Sequence, residues 1–104
     1  MSGPELTVDR AVIDEMLRLA ALEVPGVARV ARGGPAWQAI LAGSPIVTQL
    51  SDKGLRVRVW IVARPGEALA PLGQQVRVAI GAAVERLLDL RLESVTVTVD
   101  GVGA

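Results

Sequence analysis

The stretch that most constrains the fold runs from Ile46 to Ala63. Two runs rich in β-branched residues, Ile46 to Leu50 and Leu55 to Ala63, flank Ser51-Asp52-Lys53-Gly54, a short polar stretch that ends in glycine. This pattern predicts a β-hairpin with a tight turn. Side chains alternate across a strand, so Leu55, Val57, Val59 and Ile61 share one face, and Arg56, Arg58, Trp60 and Val62 share the other. Pairing Leu50 with Leu55 sets Ile46 opposite Val59 on the apolar face and Gln49 opposite Arg56 on the polar one. Register and pattern agree.

Two helices are expected around the hairpin. Apolar residues at Val12, Ile13, Met16, Leu17, Leu19 and Ala20 have helical spacing, with Thr7 or Asp9 able to cap the first turn and Pro25-Gly26 ending the helix. Arg10 and Asp14, and Asp14 and Arg18, stand four apart on its outer face. Residues 1–6 precede it and are expected to be disordered. After the loop Arg64 to Glu67, Pro71 suits the first turn of a helix reaching about Leu88, with Leu72, Val76, Ala79, Ile80, Ala83, Val84 and Leu87 as its buried face. A last strand, Ser94 to Asp100, alternates Val95, Val97 and Val99 with Thr96, Thr98 and Asp100. The helix before it can act as a crossover, which makes the last two strands parallel. Val27 to Arg32 reads as a short edge strand.

The order is therefore α-β-(short α)-β-β-α-β. It predicts one α+β domain over residues 1–104, a two-layer sandwich with two main helices on one face of a mixed sheet of about four strands. The other sheet face is left open.

The short helix lies where the composition changes. Residues 33–51 carry no formal charge, a run close to the length of a membrane span. Gly33, Gly34, Pro35, Gly43, Ser44 and Pro45 interrupt it and argue against a transmembrane helix. A helical insert from Ala36 to Ala42 remains, presenting Trp37, Ile40 and Leu41 on one side. It is expected to fold back as a lid on the core; the other reading is an exposed docking surface.

The residue inventory narrows the chemistry. The 104 residues include no cysteine, histidine, tyrosine or phenylalanine, and eleven basic residues balance eleven acidic ones. Without histidine or cysteine there is no Ser-His or Cys-His nucleophile pair and no zinc site of the usual ligands. Asp14 and Glu15 diverge on their helix, Glu85 and Asp89 simply repel in water, and no phosphate loop, GxGxxG or calcium loop is present. The chain is thus expected to be non-enzymatic, with no cofactor and no metal. Met1 to Asp9 lacks the basic start and apolar core of a secretory signal, so a cytoplasmic location is expected.

Six residues stand out as a candidate interaction surface: Trp37, Ile40 and Leu41 on the insert, and Arg56, Arg58 and Trp60 on the open sheet face. An arginine and tryptophan strip flanked by Gln49, Thr96 and Thr98 could stack single-stranded bases, although zero net charge makes nucleic acid an unfavoured partner. The competing readings are that arginine stems shield Trp60, or that a second subunit covers this face. An open face, an edge strand and zero net charge together predict homo-oligomers.

Read in order, Ala21 to Val27 (ALEVPGV), Leu55 to Gly66 (LRVRVWIVARPG), a helix beginning near Pro71, and Ser94 to Val102 (SVTVTVDGV) resemble the alkaline shock protein family of bacterial stress proteins. The likeness covers nearly the whole chain. Glu23, Val24, Pro25, Gly26 and Val27 match the turn after that family's first helix, and Pro65-Gly66 occupies a second family turn without its aromatic residue. Gly33 to Pro45 matches no family pattern, and Arg56 and Arg58 stand where relatives often carry acidic residues. The resemblance implies a small non-enzymatic cytoplasmic protein of envelope or alkaline stress, with no active-site residue. Some members of the family sit at the membrane through an integral membrane partner. On that basis the chain is expected to act as a scaffold at the inner face of the cell envelope through a membrane-protein partner, without direct insertion into lipid. The alternative is a small nucleic-acid-binding module using the open sheet face.

Overall fold

A computed structural model describes residues 9–103, and the predicted hairpin forms the centre of its sheet. Among the described residues there are four strands, β1 (Val27–Val30), β2 (Ile46–Ser51), β3 (Gly54–Ala63) and β4 (Leu92–Val102), and three helices, α1 (Arg10–Leu22), α2 (Ala36–Ala42) and α3 (Leu69–Leu87). The element order is the expected one, and the architecture is α+β.

The hairpin has the predicted register, with Ile46 opposite Val59, Gln49 opposite Arg56 and Leu50 opposite Leu55. Its turn needs a glycine at its end. Gly54 has φ +123°, and a Cβ there would lie 2.4 Å from the carbonyl oxygen of Arg91, which accepts the Leu55 N–H at 2.8 Å. The crossover through α3 makes β4 parallel to β3, from Leu55 opposite Leu92 to Ala63 opposite Val102. The sheet is mixed, as its sequence pattern implied.

With β4 on one edge of β3, both remaining partners share the other. β2 pairs with residues 54–59 of β3, and β1 pairs antiparallel with its last residues, Val27 opposite Ala63 and Val30 opposite Ile61. β1 and β2 therefore run in the same direction along one edge. They are a single edge strand, broken after Val30 and resumed at Ile46.

Both long helices cover the apolar face. Leu17 and Ala21 of α1 and Leu72, Val76, Ile80 and Val84 of α3 pack on Leu55, Val57, Val59 and Ile61 of β3, all of them buried. Full burial of one such aliphatic side chain is worth about 2 kcal/mol, so the row on β3 is the largest single contribution from any strand. Leu87 departs from expectation: it is 64% exposed. In the last turn of α3 it flanks an open groove between α1 and α3 instead of meeting the sheet.

Polar contacts of α1 also differ from the simple spacing rule. Asp9 caps the helix, its side chain accepting the Ala11 N–H at 3.4 Å. Thr7 and the disorder expected for residues 1–6 fall outside the described residues. Arg18 pairs with Glu15 and not with Asp14, and its hydrogen bond holds the Glu15 carboxyl below its ordinary range. Asp14 accepts the hydroxyl of buried Thr48 at 3.2 Å, tying α1 to β2. The Pro25-Gly26 turn is held by Arg64, whose Nε donates to Pro25 O at 3.1 Å and whose backbone N–H donates to Gly26 O at 2.9 Å. The two turns that carried the family resemblance thus meet at one end of the molecule.

Opposite fates follow for neighbouring residues of β3. Val59 has no exposed surface, so Val59→Asp buries an unpaired charge and should abolish cooperative unfolding. Arg58→Glu on the open face should cost less than about 1 kcal/mol and leave the fold intact. Thermal unfolding followed by circular dichroism checks both; equal melting temperatures would mean that the faces are reversed.

Candidate functional site

The break in the edge strand is the origin of the candidate site. Trp60 sits opposite it and satisfies both broken ends: its carbonyl accepts the Ala31 N–H at 3.1 Å, and its N–H donates to Pro45 O at 2.9 Å. Leaving the sheet here therefore strands no backbone group of Trp60. From Ala31 the chain crosses the open face to the far edge, where the Gly33 N–H donates to Asp100 Oδ2 at 2.8 Å. A Cβ on Gly33 would lie 1.6 Å from the Asp100 carbonyl oxygen, inside any permissible contact. Only glycine fits that crossing.

Residues 31–33 thus form a strap over one end of the open face. Arg32 lies in it, its guanidinium carbon 3.3 Å from the Trp60 ring centroid, with Nε and Nη2 donating to Ser44 O at 3.4 Å. Trp60 is left 8% exposed and Val62 2% exposed. This corrects the placement of Trp60 as an accessible member of the interaction surface. Arginine does shield the ring, but the residue that does so is Arg32, with the Arg58 guanidinium 5.1 Å away. A nucleobase finds no free aromatic face here, which removes the stacking contact on which the nucleic-acid alternative depended.

Beyond the strap, α2 stands clear of the rest of the molecule. Trp37 is 62% exposed, Ile40 79% and Leu41 80%. The expected lid on the core is therefore not formed by α2, and the reason is one of available surface. The apolar face on one side of the sheet is already covered by α1 and α3, while on the other side the Trp60 ring lies under Arg32 and Val62 is buried. The core is thus closed without any contribution from α2.

Arg56 and Arg58 remain exposed, as expected. They line a shallow depression of about 220 Å³ with Val47 and Gln49 of β2 and Ser94 and Thr96 of β4. Arg56 Nε lies 3.7 Å from Glu93 Oε2, and Glu93 also accepts the Ser51 hydroxyl at 3.3 Å. The six residues singled out from sequence thus divide into an apolar helix, an arginine depression and a buried ring between them. A second concavity, of about 390 Å³, lies between α1 and α3, lined by Met16, Leu19, Ala79, Ala83 and Leu87, with Glu23 and Arg86 supplying charge. Sequence reasoning missed it, because small alanines on two helices signal a groove only once the helices are known to be neighbours.

Among the described residues no group of three or more acidic, histidine or cysteine side chains could hold a metal ion, and no helix is long and apolar enough to cross a membrane. The strap yields its own test. In a Trp37→Phe background, where Trp60 alone emits, Gly33→Ala should drive the strap off Asp100, shift the emission to the red and raise acrylamide quenching; unchanged emission would mean that the strap tolerates a side chain.

Among solved structures, the chain is similar to a triple variant of the MamM CTD, at TM-score 0.63 and 17% identity over 88% of this chain and 93% of that one. It is similar to a single variant of the same domain at TM-score 0.64 and 17% identity, over 89% and 98% of the two chains. A zinc form of another MamM CTD variant matches at TM-score 0.59 and 18% identity, over 90% and 87%. At these identities the chain shares their fold. Comparison with the curated proteins finds no match. The family model for alkaline shock protein 23, described as having a cell envelope-related function, matches residues 2–104, and the chain belongs to that family.

Proposed function

We propose that this protein is a non-enzymatic adaptor at the cytoplasmic side of the cell envelope, docking through α2 onto the cytoplasmic part of an integral membrane protein. The observation that carries this reading is the exposure of Trp37, Ile40 and Leu41 on a helix whose stem is pinned by backbone hydrogen bonds. A fixed stem lowers the ordering cost of docking, and an aromatic side chain with two aliphatic ones makes a compact anchor. Burying three such side chains is worth on the order of 5–8 kcal/mol before association costs, which suits a partner held in an array or near a membrane more than a tight free complex.

A protein groove suits α2 better than bare lipid. The helix has only seven residues and lies in a stretch with no charge, so it lacks the basic face that strengthens interfacial helices. Copies of the chain associate through sheet edges: β4 runs for eleven residues without lysine or proline, and its outer edge is unpaired among the described residues.

Inverted membrane vesicles from the native cells should retain the purified protein. Retention should vanish after the vesicles are treated with trypsin, and liposomes of the extracted lipids should not bind. The double variant Trp37→Ser, Leu41→Ser should retain at least about tenfold less at an unchanged melting temperature. Equal binding to protein-free liposomes would overturn the membrane-protein partner, and full retention of the double variant would overturn α2 as the docking element.

A further inference from the structure

We propose that the depression on the open sheet face is a binding site for an extended acidic peptide segment of a partner protein, with Arg56 and Arg58 each clasping one carboxylate. The site uses no residue of α2 and does not depend on the docking role assigned to that helix.

The depression is a small grid built by the sheet register. Arg56 has Gln49 beside it on β2 and Ser94 on β4, while Arg58 has Val47 and Thr96. Two guanidiniums, an amide and two hydroxyls supply hydrogen-bond donors, and no carboxylate lines the concavity. Among the described residues Arg58 forms no ion pair; the Trp60 ring is its charged group's neighbour, at 5.1 Å. Arg56 is ion-paired with Glu93 through Nε at 3.7 Å, too long for a hydrogen bond. The guanidinium forks are therefore available for the bidentate pairing that carboxylates offer.

The chain is neutral overall, but the lining of this depression is not. Asp9, Asp14, Glu15 and Glu85 belong to the helical layer and its ends. On the sheet side, Asp100 is bonded to the strap, Glu93 to Ser51, and Asp52 lies in the hairpin turn, outside the depression. The open face thus offers positive charge to a partner. Its spacing selects the class of partner: side chains two apart on a strand recur every 6.6–6.8 Å or so, in the arginine pair and in any extended peptide laid along it. Acidic residues at alternate positions would meet both arginines at once. Single-stranded nucleic acid would lack its stacking contact, since Arg32 occupies the Trp60 ring. Recognition of anionic lipid by charge uses clusters of about four to eight basic residues, and two line this depression.

The test is fluorescence anisotropy of a labelled ten-residue peptide alternating glutamate with threonine, titrated with the full chain at low salt. Arg56→Gln and Arg58→Gln should each weaken binding about tenfold at unchanged melting temperature, with Arg58→Lys weakened less. A peptide with glutamine in place of glutamate should not bind, and the Trp37→Ser, Leu41→Ser variant should bind as the unmodified chain does. Failure of the acidic peptide to bind, or binding indifferent to both arginine substitutions, would overturn the proposal. So would tighter binding of a single-stranded oligonucleotide or of anionic vesicles through the same two arginines.

Discussion

Because β3 is paired along both edges, its ten residues decide where every other element goes. Its apolar row fixes the side on which α1 and α3 must pack, since no other strand offers four consecutive buried positions of that kind. Its Trp60 fixes where the edge strand breaks, because one residue satisfies both broken ends. Its two exposed arginines fix the character of what is left uncovered. One alternating strand therefore supplies a core, a clamp and a polar surface, and the physical basis of all three is the two-residue period of β structure.

The break in the edge strand carries a cost of its own. Closing an excursion of this length costs on the order of 2–3 kcal/mol in chain entropy. Against this stand the two hydrogen bonds to Trp60, the Gly33 bond to Asp100, and the Arg32 guanidinium held between the ring and Ser44. At about 1 kcal/mol for each hydrogen bond and a similar amount for the cation–π contact, the clamp offsets the closure. Burial of the Trp60 ring beneath Arg32 then favours the closed form. The balance explains why α2 can remain apolar and exposed: its attachment does not depend on its own packing.

What could be read from the sequence had a local period. The hairpin register followed from alternation and from a glycine at the turn, and the sides of α1 and α3 followed from helical spacing. The strap did not, because Gly33 meets Asp100 across 67 residues and neither residue belongs to a repeating pattern. Arg32 was legible only as the end of a short edge strand; nothing local pairs it with Trp60. The expectation of a lid failed for a related reason. Hydrophobicity says that Trp37, Ile40 and Leu41 gain by burial, but whether uncovered apolar surface exists for them depends on how much α1, α3 and the strap have already taken. Leu87 has a suitable place on its helix but borders the open groove between α1 and α3, and the spacing of two neighbouring helices is not encoded in the periodicity of either.

The two uncovered surfaces differ in kind, and Trp60 stands between them. α2 presents uncharged apolar side chains, and the depression presents guanidiniums and hydroxyls, so one surface associates by desolvation and the other by charge. Salt should weaken only the second. Arg32 belongs to the stem of α2, Arg58 belongs to the depression, and both approach the same indole. Two cations drawn to one ring repel each other, and a carboxylate that neutralises Arg58 would relieve that repulsion and leave Arg32 more firmly seated. The strap that holds α2 in place is thus joined, through a single aromatic side chain, to Arg58 on the open face.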